Sequence, residues 1–167
     1  MSAPSFVPAK PALREIADGV YVFEQPPGGW CLNNAGLITG SSRSVLIDTA
    51  ATEQRARRLK AEVEQIVPNG PDMVVNTHFH GDHVFGNFLF APRATIVAHE
   101  GTRSDIIEAG FGLRTLWPTV EWGALELVVP DLTFRDSARR CSCAPPVRGG
   151  RASQPTGHQV AYCPVHP

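Results

Sequence analysis

The sequence lacks long hydrophobic runs and an excess of positive charge. No stretch approaches the roughly 18 consecutive apolar residues of a membrane-spanning helix, so we expect no membrane partner. The 15 lysines and arginines are balanced by 16 aspartates and glutamates, which argues against a nucleic-acid partner. Residues 1–12 contain three prolines but no apolar segment like that of a secretory signal.

Cysteine is also scarce, with four residues in 167. Their spacing is not paired, so we expect no disulfide framework and predict a cytoplasmic location. Apolar residues make up 43% and charged residues 19% of the chain, which is typical of a globular protein. A chain of this length fits one domain, or the larger part of one.

The composition changes near Ser137. Residues 1–136 contain 11 of the basic and all 16 of the acidic residues, whereas residues 137–167 contain four arginines and no acidic residue. The second segment also holds five prolines and three of the four cysteines. Such a segment buries too little apolar surface to offset its ordering entropy. We therefore predict a partial domain over 1–136 and a disordered tail over 137–167.

Helix-like and strand-like patterns alternate in the first 136 residues. Residues 52–67 have apolar side chains at helical spacing, with Thr49 or Thr52 as the N-cap, and residues 100–109 form a second predicted helix. The predicted strands are residues 20–23, 34–39, 44–48, 73–76, 94–98, 125–129 and 132–134. This order predicts an α/β fold in which a sheet is layered against helices.

Residues 78–83 read His-Phe-His-Gly-Asp-His. In an extended chain, residues two apart point to the same side, so His78 and His80 can face one ion. Gly81 lets the chain bend, so that Asp82 and His83 can face the same space. Imidazole nitrogen and carboxylate oxygen are ligands for zinc, and also for iron or manganese. The alternative is a solvated histidine-rich loop, but half of the six histidines lie here, after a buried-type strand.

These residues also resemble a known family. Residues 77–83 match the HxHxDH signature of the metallo-β-lactamase-fold hydrolases, and residues 46–49 (Leu-Ile-Asp-Thr) are similar to that family's first motif. The segment from Gly29 to Phe88 resembles the hydrolase and cyclase-like branch common in actinobacteria. The resemblance covers about residues 12–136 and implies the N-terminal part of an αββα sandwich.

The resemblance also implies a metal centre and a reaction. His78 and His80 would bind one metal, Asp82 and His83 a second, and Asp48 would orient the histidine loop from behind; alternatively, Asp48 only caps the following helix. Two Zn²⁺ ions are expected for the family. A metal-bound hydroxide, positioned with the help of Asp82 as a catalytic residue, would hydrolyse an ester, thioester, lactone or amide of a small-molecule substrate.

The sequence departs from the family pattern after residue 136. The family's third histidine, bridging aspartate and final histidine have no clear counterpart, and His158 is a poor match. We therefore expect a truncated or frameshifted member, with a native tail as the alternative. One zinc or none is expected here, and the chain itself is expected to have little activity.

Three further expectations stay open. The function could instead be that of a metal-assisted polyketide cyclase or thioesterase, or the chain could be an inactive metal-binding remnant. Trp30 lies where the family often has a flap over the metals, so it could contact substrate, or it could pack in a simple hairpin loop. The missing half would leave apolar sheet surface exposed, which predicts possible self-association.

Overall fold

The computed structural model describes residues 11–25 and 30–137. Seven strands form one sheet: β1 Ala12–Ala17, β2 Val20–Glu24, β3 Ala35–Thr39, β4 Ser44–Ile47, β5 Met73–Asn76, β6 Thr95–His99 and β7 Leu132–Phe134. The helices are α1 Glu53–Ile66, α2 Gly81–Val84, α3 Glu100–Ala109 and α4 Leu113–Leu116, with a 3₁₀ turn at Asn87–Leu89. Within these residues, no helix is long and apolar enough to cross a bilayer.

The strands lie in the sheet in their order along the chain. Strands β1 to β4 are paired antiparallel through short connections, and β4 to β7 are paired parallel. Parallel neighbours need crossover connections, which contain α1, α2 and α3. The carboxyl ends of β4 and β5 therefore meet at one edge of the sheet.

One face of the sheet packs against α1. The Thr52 hydroxyl accepts a hydrogen bond from the Arg55 amide and caps the helix, so Thr52 rather than Thr49 is the N-cap. Leu59 and Val63 of α1 are fully buried. They pack with alternate residues of the strands, namely Phe23, Ala35, Leu37, Leu46, Val74 and Ile96. Burying these side chains is the main source of stability for this face.

The other face of the sheet is formed by the strand residues that alternate with those named above. Strand register places Val22, Gly36, Ile47, Val75 and Val97 in one row, and Val20, Ile38 and Val45 in the next. We use the name open face for Val20, Val22, Ile38, Val45, Ile47, Val75 and Leu132. These side chains are half-buried or exposed, and none belongs to either hydrophobic core of the described residues.

The predicted α/β fold is confirmed, with two differences in its strands. Strand β1 was not predicted because its alternation is broken by Arg14 and Glu15. The predicted strand at 125–129 is wrong, since these residues join no ladder. Leu125, Leu127 and Val129 instead pack on a second apolar cluster. Their alternating hydrophobic pattern is therefore explained by burial in this cluster and not by pairing with a strand.

Contacts along the chain divide it into two units, Met1–Asp136 and Ser137–Pro167. Residues 138–167 lie outside the described residues. The predicted disorder of the tail lies there, as do the doubtful ligand His158 and three of the cysteines.

Candidate metal centre

The histidine motif lies at the carboxyl edge shared by β4 and β5. It begins directly after β5, and its second half forms the short helix α2. Gly81 is required here by space rather than by a special turn, because a Cβ atom would lie 2.4 Å from the ring of Phe85. The glycine therefore lets α2 sit directly on a buried aromatic ring.

Asp48 follows β4 and holds the motif from below. Only 5% of its side chain is exposed, and its φ of 62° turns the chain at the strand end. Its carboxylate accepts hydrogen bonds from the Thr77 amide at 2.8 Å and the Thr77 hydroxyl at 2.7 Å. The same carboxylate lies 2.8 Å from Nδ1 of His83. Asp48 therefore fixes both the start of the motif and the ring of its last histidine.

The three imidazoles of the motif pack together. The ring centroids of His78 and His83 are 4.0 Å apart, and those of His78 and His80 are 4.7 Å apart. Nδ1 of His78 lies 3.0 Å from the Thr77 hydroxyl. His80 is exposed, whereas only 18% of the His83 side chain is exposed. The structure thus brings together all three histidines that the sequence indicated.

The protonation of these rings differs with their surroundings. Burial lowers the pKa of His83, but its hydrogen bonds to Asp48 and Asp82 outweigh burial and raise the pKa to about 9. Burial and the neighbouring rings of His83 and His80 lower the pKa of His78. Burial raises the pKa of Asp82, but its hydrogen bond with His83 holds the pKa below its usual value. The two carboxylates therefore favour the protonated form of His83 at neutral pH.

Cys31 is a neighbour of Asp82 that sequence analysis did not identify. Its thiol hydrogen-bonds to Asp82, and burial together with the charge of Asp82 raises the thiol pKa to about 12. Nη1 of Arg55 donates to the carbonyls of Trp30 and Cys31 at 2.7 and 3.0 Å. An arginine on the polar side of a helix gives no sequence signal for this contact, because its partners are backbone atoms distant in the chain.

Trp30 belongs to an aromatic cluster beside the motif. Its ring lies 4.4 Å from that of Trp117 and 5.1 Å from that of Trp122, centroid to centroid. Phe85 also contacts Trp122, and Phe79 packs at the rim of the same cluster. Trp30 is therefore half-buried. Its ring is held by the aromatic cluster and its backbone carbonyl by Arg55. Residues 26–29, the rest of the predicted flap, lie outside the described residues.

Two buried asparagine side chains support the histidine motif. Asn76 and Asn87 exchange hydrogen bonds of 3.1 and 2.8 Å through their side chains, and both are buried. Asn76 also donates to the His83 carbonyl, and so does the Thr49 hydroxyl. The backbone around His83 is thus held on two sides by polar groups that have no access to water.

The donors fit a divalent metal by chemistry but do not converge in this arrangement. Imidazole nitrogen and carboxylate oxygen are the ligands that zinc takes in hydrolytic sites. Yet within residues 11–25 and 30–137, no group of three or more histidine, cysteine or acidic side chains is placed to hold a metal ion. Nε2 of His83 lies 3.5 Å from a carboxylate oxygen of Asp82, and two ligands of one tetrahedral zinc lie about 3.3 Å apart. This pair is therefore spaced to share an ion, but no third donor of the described residues converges on it.

His99 lies outside the cluster and has a structural role. Its Nδ1 accepts a hydrogen bond from the Gly101 amide and caps α3, while Nε2 lies 2.6 Å from the Arg135 carbonyl. Both ring nitrogens are therefore engaged in local structure. This histidine provides a control for experiments on the motif.

Solved structures with similar folds include metallo-β-lactamases. The enzyme of Hirschia baltica aligns with a TM-score of 0.56 and 20% identity, over 77% of this chain and 54% of that one. FIM-1 from Pseudomonas aeruginosa, in a mono-zinc form, gives 0.54 and 16% over 75% and 50%, and DIM-1 gives 0.55 and 17% over 77% and 52%. At such identities the likeness shows the fold alone, and the chain spans about half the length of these proteins.

Sequence comparison gives the family. A search of curated proteins finds no match. The sequence profile of the metallo-β-lactamase superfamily, in contrast, matches residues 28–142, which is more than half of the chain. This range includes Asp48 and the whole histidine motif, together with the strands and helices that position them. The chain belongs to the metallo-β-lactamase superfamily.

Proposed function

We propose that this chain carries the metal-binding half of a metal-dependent hydrolase. The observation that supports it is the packing of three imidazoles against one another, at the carboxyl end of β5, beside Asp82 and above Asp48. A structural role alone explains this cluster poorly, because among the described hydrogen bonds the side chains of His78 and His80 reach only the exposed Thr77 hydroxyl.

Each side chain has a distinct role in this proposal. His78 and His80 would hold one zinc ion, and Asp82 with His83 would contribute to a second position. Asp48 holds the His83 ring by its Nδ1, which leaves Nε2 for the metal. A bound metal would supply an acidified water and polarise a carbonyl. Asp82 would accept a hydrogen bond from that water and so help to position it.

The substrate is proposed to be a small molecule with a hydrolysable carbonyl: an ester, thioester, lactone or amide. Trp30 and Phe79 are half-buried beside Asp82 and Cys31. Aromatic side chains at the edge of a polar site favour contact with the apolar part of such a substrate. A metal-assisted thioesterase or cyclase would use the same surface.

The test compares metal content and turnover in three proteins. The native chain, the His78→Ala/His80→Ala double variant and His99→Asn are loaded with zinc, and metal is measured by mass spectrometry. Turnover is measured on ester, thioester, lactone and β-lactam substrates. We expect zinc content to depend on His78 and His80, and the low zinc-dependent turnover expected of this chain to fall to background in the double variant. His99→Asn should match the native chain, because asparagine also caps helices well. Turnover that survives both the removal of zinc with a chelator and the double substitution would refute the proposal.

A second candidate function is an inactive metal-binding remnant. It is favoured by the lack, among the described residues, of three donors that converge on one point. Catalytic zinc usually has three protein ligands and a water. This candidate predicts zinc binding that depends on His78 and His80 without turnover of any substrate in the panel.

A further inference from the structure

The bend at Trp30 and Cys31 has a strained backbone that is held by a residue distant in the chain. Cys31 has a φ of 50°, which lies in the left-handed region that disfavours a residue with a Cβ atom. Nη1 of Arg55, on α1, donates to the carbonyls of Trp30 and Cys31 at 2.7 and 3.0 Å. Such strain persists only where surrounding contacts impose it, and it is concentrated at functional sites.

A second contact holds the same bend through the ring of Trp30. This ring packs 4.4 Å from the Trp117 ring and 5.1 Å from the ring of the buried Trp122, centroid to centroid. Cys31 packs on the same apolar cluster. The conformation of the bend is therefore imposed by one charged donor and one aromatic contact, both from other parts of the chain.

The imposed conformation brings the Cys31 thiol against Asp82. The thiol hydrogen-bonds to the Asp82 side chain, and the Asp82 amide donates to the sulfur. An ionised carboxylate only accepts hydrogen bonds, so the thiol is the donor in the first of these contacts. A carboxylate oxygen of Asp82 also lies 3.5 Å from Nε2 of His83. Asp82 is therefore held between a thiol and an imidazole.

Other roles for Cys31 agree less well with this geometry. A metal-binding thiolate would need donors that converge on one point, and within residues 11–25 and 30–137 no group of three or more does so. A nucleophilic thiolate would need a positive neighbour, whereas this thiol faces a carboxylate. In a bend without any further role, glycine or asparagine adopts a positive φ at a lower cost in free energy.

We propose that Cys31 is a positioning residue for Asp82, and that Arg55 holds the bend that presents its thiol. This inference rests on the proposed function, in which Asp82 contributes to a metal position and helps to place a water. A hydrogen-bond donor on a ligating carboxylate fixes the orientation of that carboxylate, and its loss typically weakens metal binding by roughly 10- to 100-fold. A thiol is a weak donor, so a smaller effect is expected here.

The experiment measures the zinc affinity of the full chain by competition with a chromophoric chelator. Cys31→Gly removes the thiol and also relieves the strain of the positive φ, so it should cost little stability. Cys31→Ser is the matched control, because it keeps a donor of similar size. We expect Cys31→Gly to raise the zinc dissociation constant at least about fivefold, and Cys31→Ser to stay within about twofold of the native chain. Urea unfolding in the presence of a chelator checks the stability of each variant.

A second comparison tests whether the thiol acts through Asp82. Asp82→Asn alone should weaken zinc binding, and the addition of Cys31→Gly to this variant should change the dissociation constant by less than about twofold. The cobalt derivative of the native chain should show no sulfur-to-metal charge-transfer absorption, because the sulfur does not bind the metal. If Cys31→Gly does not fold, Cys31→Ala replaces it with the same weakening expected, since alanine keeps the Cβ atom and lacks the donor.

The outcomes separate this inference from the proposed function. Zinc binding that depends on Asp82 but is unchanged in Cys31→Gly would overturn the inference and leave the proposed function standing. The same holds if serine does not restore the affinity, if the losses from the two substitutions add, or if the charge-transfer band appears. A chain that binds no zinc, or binds it independently of Asp82, would overturn the inference together with the proposed role of Asp82.

Discussion

The inner and outer halves of the histidine cluster are built in different ways. His83 is largely buried, is bonded to Asp48 and has its backbone carbonyl held by Asn76 and Thr49. His80 is exposed and His78 is half-buried, and the only side-chain partner the described hydrogen bonds give them is Thr77. The fold therefore fixes His83 in advance, whereas His78 and His80 are held by few contacts. Substitutions around His83 should therefore change the stability of the fold, whereas substitution of His80 should change metal affinity with little effect on stability.

Asp48→Ala should have the largest effect because it removes the support of the inner half. It leaves the Thr77 amide, the Thr77 hydroxyl and Nδ1 of His83 without their acceptor, and alanine disfavours the positive φ. We expect a loss of about 3 kcal/mol in the free energy of unfolding and at least tenfold weaker zinc binding. Urea unfolding and competitive zinc titration measure the two.

Asp48→Asn is the control for this change. Asparagine tolerates the same backbone conformation and keeps one acceptor oxygen. It should retain more stability than Asp48→Ala. Equal stability of Asp48→Ala and the native chain would mean that the carboxylate does not support the motif.

The pH dependence of stability should also come from the inner half. The experiment is done in the presence of a chelator, so that no metal is bound. The pKa of His83 is raised to about 9 in the folded chain, above the ordinary value of about 6.5 for an unfolded histidine. The ion pairs of His83 therefore contribute fully below about pH 6.5, and this contribution is lost as the pH rises through about 9. Urea midpoints at pH 6, 8 and 10 should fall in that order. His83→Gln should flatten the curve, and an unchanged slope in this variant would assign the dependence to other groups.

Arg55→Met tests the support of the neighbouring loop. The methionine keeps the aliphatic packing of the arginine but removes the donor to two backbone carbonyls. We expect a loss of about 1.5 kcal/mol, together with faster reaction of the Cys31 thiol with a disulfide reagent. Arg57→Met is the control, since Arg57 pairs with Glu53 on the surface of α1 and its ion pair involves neither of the two carbonyls. A thiol that reacts at the native rate in Arg55→Met would contradict this role.

His80→Ala should have the smallest effect on stability. His80 is exposed, so its removal should change the free energy of unfolding by less than about 0.5 kcal/mol. Its zinc affinity should nevertheless fall at least tenfold, since one ligand is lost. A variant that loses stability but keeps zinc affinity would reverse the proposed division between inner and outer halves.

The parts of this site that sequence could predict are those with local signals. The histidine spacing, the aspartate after β4 and the helix over 52–67 are all readable within a few residues. Cys31, Arg55 and the Asn76–Asn87 pair are not, because their contacts join segments that are distant in the chain. The same limit explains the wrong strand at 125–129. An alternating apolar pattern shows that side chains are buried, but it does not show whether they pack on a strand or on another segment.

The exposure of the open face of the sheet was predictable only in outline. The change of composition and of motifs after residue 136 led us to predict that apolar sheet surface would be exposed. The register that groups Ile38, Val45 and Ile47 on one side needed the structure, because a shift of one residue would exchange the two faces.

The paired amides of Asn76 and Asn87 have a consequence for how this protein could change over time. They join the two ends of the segment that carries the histidines, on the buried side, without using any of its proposed metal-binding groups. An exposed residue between these ends, such as His80, can therefore be exchanged at little cost to the sheet below, whereas Gly81, Val84 and Phe85 are buried there and cannot. A lineage could lose or regain its exposed proposed ligand while the scaffold persists.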